Sequence, residues 1–167
     1  MTTTDRTAPP LEGFHHITLP VHDLDEAERF YVGLLGAQLV RKLDRDTFLR
    51  FRPERVVEVD ADNSPQHLSV RIGDGPELDL FLQKNRSKPT PAPHPHFAMR
   101  VDPSHLDAFA LRLKEAGVPI DGPRRLGPPG HASVYFADPF GNTLELVTMG
   151  YAGAVLEGAP DVSVLGW

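Results

Sequence analysis

Three side chains of types that commonly bind metal ions stand in short apolar segments of this chain. His16 begins HITLPV, His96 begins HFAMRV, and Glu145 interrupts NTLELV. Two neutral imidazoles and a carboxylate are a common ligand set for a divalent cation, and with open positions they suit Fe(II) or a related ion. Each residue taken alone is typical of a hydrogen-bonded or exposed position, so a metal site requires that the fold bring all three together.

Strand periodicity predicts that the three residues lie on equivalent faces. Side chains alternate along a strand, and the apolar members of each segment should pack beneath a helix. This leaves His16, His96 and Glu145 on the faces turned away from the helices, and the same alternation places Tyr135 and Asp79 there. If these faces curve toward each other, their polar groups converge in a cleft.

The elements that would position these residues occur twice. Residues 16–37 and 96–118 each contain a His, a short strand ending in Val, an Asp-containing cap, an amphipathic helix and a Gly. The two His residues are offset by 80 positions (96 − 16). A repeat of this kind indicates duplication of one structural unit.

The local patterns predict an α+β protein built from two tandem βαβββ modules. Asp23 or Asp25 caps the first helix, which ends before Gly36, and the second runs from Pro103-Ser104 to Gly117. Strand-like runs follow each helix, and a segment that includes TFLRFR and residues 53–65 interrupts the first module as an insertion. The runs are AQLVRKL, TFLRFR, HLSVRI, ELDLFLQ, HASVYFA and NTLELVT.

Changes in composition set the predicted boundaries. The stretch RSKPTPAPHP contains four prolines and cannot form a helix or a central strand, so it is predicted to be an extended linker. The organisation predicted from these boundaries is a flexible tail 1–12, a first module 13–85, a linker 86–95, a second module 96–149 and a C-terminal tail 150–167.

Composition excludes several classes of function. With 40% hydrophobic and 24% charged residues the chain resembles an ordinary globular protein, and its net charge of −6 argues against a nucleic-acid surface. The chain has no cysteine, which rules out disulfides, thiolate metal sites and cysteine nucleophiles. The sequence contains no stretch typical of a signal peptide or a membrane span, so a cytoplasmic location is expected.

The motifs HHITLPVHDLDEAERFY, HFAMRV and YFADPFGNTLEL closely resemble those of the vicinal-oxygen-chelate superfamily, over residues 14–149. This superfamily includes glyoxalase I, fosfomycin-resistance transferases, bleomycin-resistance proteins and extradiol dioxygenases. The resemblance implies two βαβββ modules that form a curved sheet around a metal cleft. It also implies one divalent ion held by His16, His96 and Glu145, with adjacent oxygens of a small substrate completing its coordination.

The resemblance to the extradiol dioxygenase branch is carried by YFADPFGNTLE, because that branch also has a Tyr followed by Asp-Pro, Gly and Glu. It implies an extradiol-type dioxygenase with Tyr135 and His131 as catalytic residues. Fe(II) is then the preferred cofactor, with Mn, Ni, Zn or Co as alternatives. His131 stands only four positions before Tyr135, closer than in that branch.

Other branches of the superfamily remain as alternatives. A glyoxalase-like lyase or isomerase would use a fourth ligand, and the alignment of LDL with LEL places Asp79 there, one methylene shorter than Glu. Fosfomycin transferases carry basic residues after the metal Glu, whereas this chain has no Lys or Arg after Arg125. A non-catalytic antibiotic-binding protein is a further alternative, although bleomycin-binding members lack the metal triad.

The substrate is predicted to contact residues on the faces that carry the metal ligands. Arg100 shares a face with His96 and is suited to pair with a substrate carboxylate, while Phe81 projects from the outer face of ELDLFLQ. Thr18 and Ser133 match positions of the fosfomycin-transferase branch. The expected partners are a small-molecule substrate and a second copy of the chain, because small members of this superfamily form homodimers in which two chains complete each cleft.

Overall fold

Each half of the chain forms its own sheet in the computed structural model, which describes residues 14–84 and 94–165. The strands are β1 (His16–Val21), β2 (Gln38–Leu43), β3 (His67–Arg71), β4 (Glu77–Leu82), β5 (Phe97–Arg100), β6 (Ile120–Arg125), β7 (Ala132–Ala137), β8 (Thr143–Thr148) and β9 (Leu156–Glu157). The first sheet has the order β1-β4-β3-β2 and the second the order β5-β8-β7-β6-β9. In both sheets the first strand of the module pairs in parallel with the last one.

This matching strand order confirms the α+β class and the two tandem βαβββ modules. The strands form two separate sheets rather than one continuous curved sheet. The predicted tail 1–12 and residues 86–93 of the predicted linker lie outside the described residues. Within the described ranges, no helix combines the length and apolar composition needed to cross a membrane.

The two module helices begin and end close to the predicted positions. Helix α1 (Leu24–Glu28) continues as a π-helical segment, Arg29–Leu34. Asp23 is its N-cap, and the Asp23 side chain accepts a hydrogen bond from the backbone N–H of Glu26. In the second module, helix α4 (Leu106–Glu115) is followed by Gly117 at φ 75°, a left-handed conformation that favours glycine.

The insertion in the first module is helical, so the prediction of a strand at TFLRFR was wrong. Helix α2 (Arg45–Phe51), a 3-10 turn and helix α3 (Val56–Ala61) lie between β2 and β3. The side chain of Asp44 accepts the backbone N–H of Thr47 and thereby caps α2. Phe48 is buried whereas Phe51 is exposed, so only one side of α2 packs against the rest of the protein. Strand propensity is context-dependent, and the helix cap outweighs it here.

Strand β6 lies in a Pro- and Gly-rich stretch for which no strand was predicted. Its register with β7 places Asp121 opposite Tyr135 and Arg124 opposite Ser133, so β6 contains one extra residue. Gly122 stands in this bulge at φ 124°, and a Cβ atom there would clash with the carbonyl oxygen of Ser133. The bulge turns Asp121 and Arg124 to the same face, which a regular strand would not do.

One hydrophobic core serves both modules. It contains inward-facing residues of both sheets together with the apolar faces of α1 and α4. Phe30 of the first module lies 6.4 Å, centroid to centroid, from Phe136 of β7. Because the helix-bearing face of each sheet packs into this shared core, the opposite faces, here called the outer faces, look away from it. Among residues 14–84 and 94–165 of one chain, the outer faces therefore do not form a cleft with each other.

Asp138, in the turn between β7 and β8, joins the two modules. Its carboxylate is 4% exposed and accepts hydrogen bonds from Tyr31 Oη at 2.8 Å, Asn142 Nδ2 at 2.6 Å and the backbone N–H groups of Phe140 and Asn142. Asn142 Nδ2 also donates to the carbonyl of Pro20 in β1 at 3.0 Å. Burial raises the pKa of Asp138, although the four donors act in the opposite direction. Two of these contacts cross between modules, so the turn fixes their relative position.

We expect Tyr31→Phe to lower the free energy of unfolding by about 1–3 kcal/mol, because it removes a donor from a buried carboxylate. Equilibrium urea denaturation measures the change. Tyr151→Phe is the matched control, since Tyr151 Oη donates to Asp107 at an exposed site, and its cost should stay below about 1 kcal/mol. Equal losses in the two variants would contradict the role assigned to Asp138.

Candidate metal centre

Glu145 and His96 meet on the outer face of the second sheet. Glu145 lies on β8, beside β5, and His96 immediately precedes β5. His96 Nε2 is 2.9 Å from Glu145 Oε2, and the Glu145 residue is 5% exposed. A carboxylate is buried at a cost unless it is paired with a positive group or a metal. Two of the three predicted metal ligands are therefore adjacent in one chain.

The second oxygen of Glu145 is held by a buried serine. The Ser133 hydroxyl donates to Glu145 Oε1, and Ser133 is fully buried. His131 Nε2 lies 3.5 Å from the Ser133 hydroxyl oxygen, and the backbone N–H of Leu126 contacts His131 Nδ1 at 3.4 Å. Ser133 thus orients the carboxylate and lies between it and the imidazole that was predicted to be catalytic.

Tyr135 lies next to the His96–Glu145 pair. Its ring stands edge-on to the His96 ring, with 5.7 Å between centroids, and it is opposite Glu145 in the register of β7 and β8. Burial, followed by the charge of Glu145, raises the pKa of Tyr135 to about 12. A phenol with its ordinary pKa already keeps its proton at neutral pH, and the rise acts in the same direction, so Tyr135 is suited to donate a hydrogen bond rather than to act as a base.

The C-terminal segment covers part of this face, which the sequence pattern did not indicate. The short strand β9 pairs with β6, and the 3-10 helix Val162–Leu165 packs on the outer side of β6 and β7. Leu165 is fully buried against Tyr135 and Ala137. The backbone N–H of Asp161 donates to Asp121 Oδ2, which also accepts from Arg124 Nε. This segment, which was predicted to be a tail, packs beside Tyr135 and borders the candidate site.

His16 is not part of this group in one chain. It lies on β1 in the other sheet, is exposed, and its Nδ1 is 2.9 Å from Nδ1 of His15. Within residues 14–84 and 94–165, no three His, Asp or Glu side chains are close enough together to hold a metal ion. The predicted triad is thus assembled only in part, as His96 with Glu145.

The predicted substrate-contacting residues divide between the two sheets. Ser133 and the exposed Arg100 lie on the second sheet with Glu145. Thr18 lies on the outer face of the first sheet, and Phe81 of β4 stacks on His67 with 4.5 Å between ring centroids. A substrate that contacts all four residues must therefore lie between two outer faces that the described part of one chain does not bring together.

The donors at Glu145 and His96 fit a divalent ion. Each offers an oxygen or nitrogen lone pair, and among the described contacts of Glu145 the partners are an imidazole and a hydroxyl rather than a Lys or Arg. Asp79, the candidate fourth ligand, has an arginine within 3.6 Å, Arg41. Asp79 thus has a cationic partner already, whereas Glu145 remains suited to an added cation.

Comparison with known proteins gives a consistent result for nearly the whole chain. The family model for the glyoxalase/bleomycin resistance protein/dioxygenase superfamily matches residues 13–146. The chain is 31% identical over 168 residues to 2-epi-5-epi-valiolone epimerase from Actinomyces sp, which covers 95% of this chain and 91% of that protein. It is 31% identical over 141 residues to metallothiol transferase FosB from Shouchella clausii, covering 83% of this chain and 81% of the relative.

A solved structure supports the same fold. The fosfomycin resistance protein FosX from Listeria monocytogenes, crystallised with Mn(II) and sulfate ion, superposes with a TM-score of 0.58. The match covers 83% of this chain and 93% of that chain at 19% identity. At this identity the likeness concerns the fold alone.

We expect Glu145→Gln to weaken divalent-metal binding by at least about tenfold, because the substitution removes the anionic ligand from the His96 pair. Isothermal titration with Mn²⁺, together with elemental mass spectrometry of the purified protein, measures this loss. Glu157→Gln is the matched control, since Glu157 is an exposed carboxylate on the same sheet paired with Arg125. Unchanged binding in Glu145→Gln would show that the ion is held elsewhere.

Proposed function

The chain belongs to the glyoxalase/bleomycin resistance protein/dioxygenase superfamily, and we propose that it is a metal-dependent enzyme that transfers a proton on a small substrate bound through adjacent oxygens. The observation that carries the proposal is the pair of Glu145 and His96, a buried carboxylate 2.9 Å from an imidazole nitrogen on the outer face of a sheet. The choice of proton transfer rests on similarity to an epimerase across 95% of the chain. Epimerisation requires that a proton leave a carbon and return to its other face.

The residues around the pair have distinct roles in this proposal. Glu145, His96 and His16 would hold the ion, which would polarise a substrate carbonyl and make the neighbouring C–H more acidic. Tyr135, whose ring lies edge-on to the ring of His96, donates a hydrogen bond to a substrate oxygen. His131, whose Nε2 lies 3.5 Å from the Ser133 hydroxyl oxygen, removes the proton from one face of the carbon, and water delivers a proton to the opposite face.

The third ligand comes from a second copy of the chain in this proposal. His16 is exposed on the outer face of the first sheet, and the His96–Glu145 pair lies on the outer face of the second. Both faces look away from the shared core, so a first sheet from one copy can face a second sheet from another. A twofold dimer then forms two equivalent clefts, each with contributions from both chains.

The extradiol dioxygenase function and the Fe(II) preference stay predictions. The ligand set of two imidazoles and one carboxylate suits Fe(II), but the two curated relatives compared with the chain are an epimerase and a metallothiol transferase. Manganese is an equally suitable ion, and FosX was crystallised with Mn(II). Thiol transfer to an anionic antibiotic is less favoured, because no Lys or Arg follows Arg125 in this sequence.

We expect the Mn²⁺-loaded protein in D₂O to incorporate deuterium next to the carbonyl of a suitable α-hydroxyketone. Proton NMR across a panel of cyclic and acyclic α-hydroxyketones measures the loss of the C–H signal. Glu145→Gln should reduce exchange to the buffer rate, and Glu157→Gln should retain it. Oxygen consumption with catechols by the Fe(II)-loaded protein, without exchange on any ketone, would instead support the dioxygenase function.

We expect a heterodimer of His16→Ala and Glu145→Ala chains to bind about half the metal of the wild-type dimer. In such a dimer one cleft combines the intact His16 of one chain with the intact His96–Glu145 pair of the other, and the second cleft lacks both ligands. Co-expression with two different affinity tags isolates the heterodimer, and elemental mass spectrometry gives the metal content per dimer. Each homodimeric variant serves as a control and should bind little metal.

The result separates assembly between chains from assembly within one chain. If all three ligands came from the same chain, both chains of the heterodimer would lack a ligand and no metal would be recovered. A purely monomeric wild-type protein that still binds metal stoichiometrically would also contradict shared ligands.

A further inference from the structure

A row of polar side chains crosses the outer face of the first sheet. Its members, here called the polar row, are Thr18 on β1, Asp79 on β4, Ser69 on β3 and Arg41 on β2. They are consecutive cross-strand neighbours, because Thr18 pairs with Asp79, Asp79 with Ser69, and Ser69 with Arg41. The row lies on the same face as His16, two residues along β1 from Thr18.

The centre of the polar row is buried although the outer face looks away from the core. Ser69 is fully buried and Asp79 is 6% exposed. The Ser69 hydroxyl donates to Asp79 Oδ1, and an Arg41 guanidinium nitrogen lies 3.6 Å from the same oxygen. Both contacts fall on Oδ1, so Asp79 Oδ2 has no donor among the described residues and remains an acceptor for a ligand.

A bulge in β2 brings Arg41 into the row. Leu39 pairs with Val70 and Arg41 with Ser69, so two steps along β2 correspond to one step along β3. Without the extra residue, Leu39 and Arg41 would point to the same side of the sheet. Arg41 is anchored by one guanidinium nitrogen to Glu77 Oε2 at 2.8 Å, and its side chain is 43% exposed. Its remaining N–H groups are therefore available to a ligand.

The polar row and the metal pair occupy equivalent places in the two modules but differ in charge. In the first module Asp79 is paired with a residue of β1, and in the second module Glu145 is paired with the equivalent residue of β5. Glu145 has an imidazole and a hydroxyl as its described partners, whereas Asp79 has a hydroxyl and a guanidinium. A guanidinium beside a carboxylate competes with a metal cation for it. The polar row is thus suited to hydrogen bonding with a substrate rather than to ligating the ion.

The charges around the polar row select against an anionic ligand. Two arginines, Arg41 and Arg71, and two carboxylates, Asp79 and Glu77, sum to zero. The row presents guanidinium N–H donors, a carboxylate acceptor and the Thr18 hydroxyl, which can donate and accept. Hydroxyl groups both donate and accept hydrogen bonds, so a ligand with several hydroxyls can pair with both the donors and the acceptors of the polar row. A phosphonate or phosphate needs an excess of donors and positive charge.

We propose that the polar row is the substrate-recognition half of the active site, contributed by the second copy, and that Arg41 and Asp79 select a neutral, polyhydroxylated ketone. This rests on the proposed function, because the row reaches the metal pair only in the dimer described above. Arg41 donates to one substrate hydroxyl and Asp79 Oδ2 accepts from another. Neither residue ligates the metal.

Binding of 2-keto-myo-inositol and of inorganic phosphate to the Mn²⁺-loaded dimer tests the proposal. Isothermal titration should show that the wild type binds the cyclic polyhydroxyketone at least about tenfold more tightly than phosphate. Arg41→Gln and Asp79→Asn should each weaken binding of the ketone by about tenfold or more, because each removes a hydrogen bond to a charged group. Asn at position 79 retains an acceptor for Ser69, so the fold should persist.

The controls distinguish this proposal from the proposed function. Arg71→Gln removes a neighbouring arginine that contacts Glu77 at 2.8 Å and should change ketone affinity by less than about threefold. Manganese content should stay at the wild-type value in Arg41→Gln and Asp79→Asn. Loss of metal in Asp79→Asn would make Asp79 a ligand and overturn the proposal. Wild-type ketone affinity in both variants, or preferred binding of phosphate, would overturn it while the metal enzyme stands.

Discussion

The buried carboxylate of Asp138 is the interaction on which the arrangement of the two modules depends. Four donors converge on it, and one of them, Tyr31, belongs to the other module. Asn142 extends the network to the carbonyl of Pro20 on β1. Because an unsatisfied buried carboxylate is costly, the turn has little freedom to move. β8 begins one residue after Asn142, so the same network determines where Glu145 lies.

The shared core explains why the functional residues lie on two separate surfaces. Both sheets bury their helix-bearing faces together, and this leaves His16 and the His96–Glu145 pair on outer faces that look away from that core. The described residues of one chain therefore bring together only part of the candidate site. In the function proposed here, assembly of two copies and formation of the metal centre are the same event.

Duplication supplied two similar outer faces, and small changes distinguish their proposed tasks. Each sheet has a carboxylate hydrogen-bonded by a buried serine, Asp79 with Ser69 and Glu145 with Ser133. A bulged strand places an arginine opposite each of these serines. In the first sheet Arg41 lies near the carboxylate, whereas Arg124 in the second is paired with Asp121 and so is withdrawn from Glu145. In the proposals made here, this electrostatic difference separates substrate recognition from metal binding.

The sequence by itself determined the α+β class, the repeated module, both module helices and the outward direction of Glu145 and His96, because periodicity and helix caps are local properties. It did not reveal β6 or the helical character of TFLRFR. The bulge at Gly122 and the cap at Asp44 outweigh the propensities of the neighbouring residues.

Only the tertiary structure decided that His16 stands apart from the pair, that Leu165 covers Tyr135 and that Arg41 meets Asp79. These placements depend on how two sheets pack on one core and on which residues a bulge shifts, and neither is encoded in the spacing of residues along the chain.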